Sequence, residues 1–178
     1  LFSHPRSTWT EASLASLRRR VEATCNRVID VCACTLNRQS AEKWLRFMID
    51  AGVNPDEASY NSVLHACALS REWQDAVRLF QEMTEHGLRP SLRTYNNLID
   101  TCVRCSKVQE AESWRQHLME AGLQPDSFTF SALAGAHLRA KSLDQAEQLF
   151  AEMRDRGIEP DAKLLAWARE AREARGGR

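Results

Sequence analysis

The chain has 178 residues, 43% of them apolar, which suffices for one ordinary core or a short stack of small units but not for two large domains. Its 24 basic and 24 acidic side chains cancel, so no global basic field announces nucleic acid and any basic surface must be local. The longest apolar runs, such as Val63 to Leu69, fall far short of the roughly 20 residues a membrane span needs, which predicts a soluble chain without a membrane span.

In chain order, Leu1 in place of Met reads as a mature or trimmed chain whose targeting peptide is not visible. Trp9, Leu14, Leu17 and Val21, with Thr8 or Thr10 as N-cap, then predict a helix over Trp9–Val21 that covers the open apolar face of the first hairpin. Arg18, Arg19 and Arg20 make a basic run on it, either a solvated face or a contact for phosphate or a partner.

From there a 35-residue period organises the chain. Pro55, Pro90, Pro125 and Pro160 keep it, Gly52, Gly87, Gly122 and Gly157 precede those prolines by three, and Ala41, Ala76, Ala111 and Ala146 share one register position. Within a copy the spacing of apolar residues gives two amphipathic helices: in the third, Thr94–Arg104 carries Tyr95, Leu98, Ile99, Cys102 and Val103, and Gln109–Glu120 carries Ala111, Trp114, Leu118 and Met119. Glycine then tolerates the positive φ that ends the second helix, and proline stops continuation. A hairpin of this size cannot bury its apolar faces alone, so neighbours must stack. The expectation is an all-α fold, an α-solenoid of helical hairpins over 22–56, 57–91, 92–126 and 127–161. The segment 1–21 is its amino-terminal cap, and 162–178, with Leu164, Leu165, Trp167 and Ala168, is a carboxyl-terminal capping helix and basic tail. Arg169, Arg172 and Arg175 recur every three residues there, a solvated face or a basic stripe.

Cys32, Cys67 and Cys102 also keep the period, with His137 at the fourth position, which reads as packing inside the hairpins; no secretory segment precedes the six cysteines, which points to a reducing compartment. Cys102 and Cys105 form a CxxC without a matching second pair, so no zinc site or cofactor is expected.

The helix openings Tyr60-Asn61-Ser62-Val63-Leu64 and Tyr95-Asn96-Asn97-Leu98-Ile99, the central alanine, the pairs Leu79-Phe80 and Leu149-Phe150, and the Gly-apolar-x-Pro-Asp endings together resemble the pentatricopeptide repeat family across about Ala23 to Asp161. The 34-residue tetratricopeptide pattern, with its Trp and Gly-Tyr signature, fits less well. The resemblance implies a single-stranded RNA-binding protein of a mitochondrion or chloroplast, reading one base per repeat in RNA processing, stability or translation. It implies further that one first-helix residue and one residue after the junction proline act together on the Watson-Crick edge of a base. Those pairs here are Asn26 with Asp56, Asn61 with Ser91, Asn96 with Asp126, and Ser131 with Asp161. The family's pairing rule then implies a site U-C/U-U-G, read 5′ to 3′.

The family's wedge position, usually a branched aliphatic, holds Ala23, Ala58, Arg93 and Phe128; Arg93 and Phe128 are suited to stacking on a base. The family's phosphate-facing position holds Arg104 and Arg139 in the last two copies, and Cys34 and Leu69 in the first two. Asn97 lies off the reading register and is expected on a solvated flank of the groove. Some relatives carry a deaminase or nuclease module, but no His is followed by x-Glu and no Pro-Cys-x-x-Cys exists, so no catalysis is expected. The rival class is a protein-interaction scaffold, such as a subunit of an organellar ribosome, which net neutrality, two weak wedge positions and the small repeat number favour.

Overall fold

The computed structural model describes residues 11–35 and 37–176, which form nine α-helices and no strand. In chain order these are α1 (Glu11–Cys34), α2 (Arg38–Asp50), α3 (Glu57–Ser70), α4 (Trp73–Glu85), α5 (Leu92–Arg104), α6 (Val108–Glu120), α7 (Ser127–Arg139), α8 (Leu143–Asp155) and α9 (Ala162–Gly176). The expected all-α stack of helical hairpins is what the chain forms. Helices α1, α3, α5, α7 and α9 pack in succession as one layer, and each of α2, α4, α6 and α8 packs on its own hairpin partner and on the first helix of the next hairpin.

Local chemistry sets the helix starts. Asp56, Ser91 and Asp126 are the N-caps of α3, α5 and α7, and each closes a capping box with the hydroxyl residue three positions on, Ser59, Thr94 or Thr129. The junction residues are therefore structural groups of the next hairpin as well as its boundary. Two kinds of turn separate the helices. Gly52, Gly87, Gly122 and Gly157 end the second helices with φ of 70, 74, 79 and 69°, while Arg71, Ser106 and Lys141 end first helices with φ of 58, 60 and 60°, without a glycine.

The core is one file of side chains. Leu45, Met48, Tyr60, Leu64, Leu79 and Met83 fill its amino-terminal half, and Ile99, Leu118, Phe130, Leu133 and Met153 its carboxyl-terminal half. Phe80 and Trp114, ring centroids 4.9 Å apart, pack against both. Cys67 and Cys102 are buried in it, as the period suggested, and burial pushes both thiols up to about 12. His137, at the same register position, is buried and bonded through Nε2 to Glu112 at 3.0 Å.

The two ends differ, and one departs from expectation. The anticipated separate cap over Trp9–Val21 is, from Glu11 onward, the amino-terminal part of α1: Glu22, Ala23 and their neighbours offer no glycine or proline to break the helix, so it cannot fold back over the hairpin. Leu17, Val21, Val31, Trp44 and Phe47 consequently stay exposed at that end. Trp9 and the Thr8 and Thr10 caps lie outside the described residues. At the other end α9 buries Leu164 and Ala168 against α7. Gly135 permits this approach, since a Cβ there would stand 3.3 Å from the Trp167 ring.

Candidate nucleic-acid interface

The hydrogen-bond chemistry of the junctions decides what faces the groove. Asn26, on α1, donates from Nδ2 to both carboxylate oxygens of Asp56 at 3.2 Å, and the Ser59 hydroxyl donates to Asn26 Oδ1 at 2.5 Å. At the third junction the arrangement recurs: Asn96 Nδ2 lies 3.2 and 3.3 Å from the Asp126 oxygens, and the Thr129 hydroxyl donates to Asn96 Oδ1 at 2.7 Å. A carboxylate can only accept, so it fixes the amide with nitrogen toward the aspartate and oxygen toward the hydroxyl. One amide N–H and one oxygen lone pair of each Asn remain to meet a ligand. Burial pushes the Asp126 carboxyl up, but hydrogen bonds from the Thr129 backbone N–H and the Asn96 amide help to outweigh it and hold the group below the ordinary aspartate value.

The second junction is wired differently. Asn61 is buried, its Nδ2 donates to Glu57 Oε1 at 3.0 Å, and the Ser91 hydroxyl donates to that same oxygen. Asn61 and Ser91 thus meet through Glu57 and not directly, and Asn61 Oδ1 is left buried without a partner. At the fourth junction Ser131 and Asp161 line one groove, while an Asp161 oxygen accepts the Leu164 backbone N–H at 2.7 Å and starts α9.

The two stacking candidates lie together. Arg93, Asn96, Asp126 and Phe128 all line one open groove of about 640 Å³, so the guanidinium and the ring share it with the Asn96–Asp126 pair. Phe128 is 48% exposed, an unusual state for a ring that merely packs. A second groove of about 440 Å³ continues from it, lined by Phe128, Ser131, Asp161, Arg139 and Trp167. Asp100 and Arg104 line both. Of the two expected phosphate contacts, Arg104 is held by Asp100 through Nε at 2.7 Å, and Arg139 stands over the Trp167 ring, 5.8 Å from its centroid. Asn97 does more than flank the groove, for its Nδ2 donates to the Asn61 carbonyl at 3.1 Å and ties α5 to α3.

Sequence reasoning missed the hydroxyl partners, although Ser59, Thr94 and Thr129 keep the 35-residue period in plain view. It also missed Glu57 and Asp100, whose register positions carry an acid in only one other copy, Glu22 and Asp30, and the groove position of Trp167, for which no periodic signal exists. Among the described residues no group of three or more His, Cys, Asp or Glu is placed to hold a metal ion, and no helix is long and apolar enough to cross a membrane.

Comparisons with known proteins agree with this architecture. A family model described as the pentatricopeptide repeat domain matches residues 43–104 and 115–163, and one described as the PPR repeat family matches 90–137. No curated protein matches the sequence. Among solved structures, the PPR domain of Arabidopsis thaliana protein-only RNase P 1, in complex with tRNA, superposes with a TM-score of 0.76 at 19% identity, over 88% of this chain and 83% of that one. PPR10 from maize, in complex with an 18-nt psaJ RNA element, gives 0.75 at 23% identity over 93% of this chain and 26% of that one. Nuclear proteinaceous RNase P 2 of A. thaliana gives 0.71 at 13% identity over 87% and 35%. The chain therefore spans about a quarter to a third of the last two proteins, and at these identities the likeness is one of fold.

Proposed function

Since the chain belongs to the pentatricopeptide repeat family, we propose that its groove binds single-stranded RNA one base per repeat, with the implied site U-C/U-U-G. The observation that carries this reading is the third junction: an Asn96–Asp126 pair oriented by Thr129, with Arg93 and Phe128 lining the same groove. An oriented amide offers one donor and one acceptor to a base edge, and a flanking ring or guanidinium supplies stacking worth about 1–3 kcal/mol per base. The maize and Arabidopsis relatives solved with RNA and tRNA lend support by fold alone. Four repeats read about four bases, too few for a unique transcript, so partner proteins or additional repeats are part of the proposal. The role is non-catalytic, in organellar RNA processing, stability or translation. The organelle rests on the family resemblance alone, because a nuclear protein shares the fold.

The test is binding of short RNAs containing UCUG or UUUG, against scrambled controls, across a salt series. Specific sequences should bind more tightly, log affinity should fall with log salt by about 0.7 per phosphate contact, and Asn96→Ser with Asp126→Asn should abolish the preference at the third base. Affinity indifferent to both sequence and salt would sink the reading. It would favour the second one, a protein-interaction scaffold, for which the neutralisation of Arg104 by Asp100 inside the groove is the specific observation.

A further inference from the structure

We propose that α9, a helix outside the reading repeats, supplies a wall of the fourth base slot: Trp167 stacks on the base that Ser131 and Asp161 face, and shares that task with Phe128. The inference rests on the one-base-per-repeat reading and adds a contact to it.

The register singles out this residue. Trp167 stands where the earlier first helices carry Arg27, Ser62, Asn97 and Ala132, all polar or small. That place has a defined neighbour, for Asn97 reaches back 36 residues to the carbonyl of Asn61, the reading residue of the preceding first helix. The same step back from Trp167 leads to Ser131. A matching change lies on α7. Gly135 occupies the register of Asp30, His65 and Asp100, and both His65 and Asp100 line the groove. Glycine leaves that stretch of groove floor without a side chain, and the indole takes the space: a Cβ at Gly135 would stand 3.3 Å from Trp167 Cζ3.

The groove around the ring has the parts that a nucleotide needs. Phe128 lines both grooves, whereas Trp167 lines the one that holds Ser131 and Asp161, together with Arg139. The fourth slot thus has two aromatic rings on its walls, beside the pair that faces the base. Trp167 is half-buried, and its inner part packs on the end of the core, whose closure falls to the buried Leu164 and Ala168. Core closure alone therefore gives no reason for an indole at position 167. Every base has a π-face, so a ring here adds affinity without deciding which base is read. The Arg139 guanidinium, 5.8 Å from the centre of the indole, brings to the same groove the positive charge that a phosphate requires.

The experiment measures binding of short RNAs containing UCUG, intact or with an abasic sugar at the third or the fourth position, to the parent, Trp167→Phe and Trp167→Leu, with the melting temperature of each protein taken in parallel. The expected result is that Trp167→Leu weakens binding of the intact RNA about ten-fold and Trp167→Phe keeps most of the affinity. An abasic fourth position removes the difference between variant and parent, and an abasic third position leaves it. Should Trp167→Leu fail to fold, indole emission decides: the intact RNA quenches the parent more than Trp167→Phe, and the RNA abasic at the fourth position quenches both alike. If Trp167→Leu costs nothing, or costs as much without the fourth base as with it, or if both RNAs quench equally, the inference is overturned; a penalty for the abasic third position then keeps base reading. If neither abasic position weakens binding to the parent, base reading itself falls, and this inference with it.

Discussion

The two halves of this solenoid share a fold and solve different problems. On the second-helix side of the amino-terminal half, Arg38, Glu42, Arg46, Asp75, Arg78 and Glu82 knit α2 to α4: Arg46 grips Glu82 with both Nη atoms, and Arg78 reaches Glu42 at 2.6 Å. Its groove side is bare, with Ala23 and Ala58 at the wedge positions. In the carboxyl-terminal half the outer face holds fewer ion pairs, chiefly Arg115 bridging Glu112 and Glu152, whereas the groove carries Arg93, Phe128, Arg139 and Trp167. The difference teaches that ion pairing and groove chemistry occupy different helices. Second helices carry the ion pairs between hairpins, first helices pack on one another and line the groove, and a side chain on either face can be changed independently of the other.

The largest expected effect tests that independence on the groove side. Phe128 is half exposed and outside the core, so Phe128→Ala should leave thermal stability within about 0.5 kcal/mol of the parent. It should cost about 1–3 kcal/mol in RNA binding, read as the loss of a stacked base. The converse, Ala58→Phe, should raise affinity by a similar amount, since it transplants the ring into the bare half. A fall in melting temperature on Phe128→Ala, matching the loss of affinity, would mean that the ring supports the fold and that the comparison is misdrawn.

Next in size is the charge network. Burial pushes the Glu82 carboxyl up, but hydrogen bonds from Arg46 and Tyr60 and the nearby Arg78 charge outweigh it and hold the group below the ordinary glutamate value. A carboxylate depressed in the folded state contributes stability that is fully present above its unfolded pKa, about 4.3, and is lost as pH falls through the folded value. Asp126 carries the same sign. Stability should therefore be flat at neutral pH and decline below about pH 4. Glu82→Gln should cost about 1 kcal/mol at pH 7, discounted because Arg46 and Arg78 are 42% and 43% exposed, and should flatten the acid decline of Tm. An acid profile identical to the parent's would remove Glu82 from the account.

Much of this was legible in the sequence, and the illegible remainder has a physical pattern. The 35-residue period carried by Pro55, Pro90, Pro125 and Pro160 is a backbone constraint, repeated because every hairpin must stop and turn the same way, so the fold could be read from it. The reading pairs came with the register and the family resemblance; two of them, Asn26–Asp56 and Asn96–Asp126, hydrogen-bond directly. What could not be read were competitions between neighbours. Glu57 takes Asn61 where Ser91, with no carboxylate, leaves the amide unclaimed, and Asp100 takes Arg104 because both stand on one helix face four residues apart. Neither contest has a period. The extension of α1 beyond its hairpin was lost for a related reason: an amphipathic stretch such as Leu14, Leu17, Val21 reads alike whether it folds back or runs on, and only the absence of a breaker before Cys25 decides.

The smallest expected effect contrasts the two turns within each repeat, which share a left-handed residue and differ in who supplies it. Gly87 sits at φ 74° with no atom within 4 Å of where a Cβ would stand, so Gly87→Ala meets no clash; left-handed strain of roughly 1–2 kcal/mol, less the roughly 0.5–1 kcal/mol of unfolded-chain entropy it saves, leaves a net loss of about 1 kcal/mol or less. Ser106 sits at φ 60° with a Cβ in place and already carries that strain. Ser106→Gly relieves it but gives back 0.5–1 kcal/mol, roughly, in unfolded-chain entropy, which leaves a net gain below about 1 kcal/mol. The signs are therefore opposite at two turns of nearly the same φ, and urea unfolding of the two variants should move the midpoint in opposite directions without changing the slope. Destabilisation by both would show that the Ser106 side chain supports its turn and offsets the strain locally. Destabilisation by neither would mean that α4 and α5 are held in register by their packing, with the glycine at position 87 a convenience of the period.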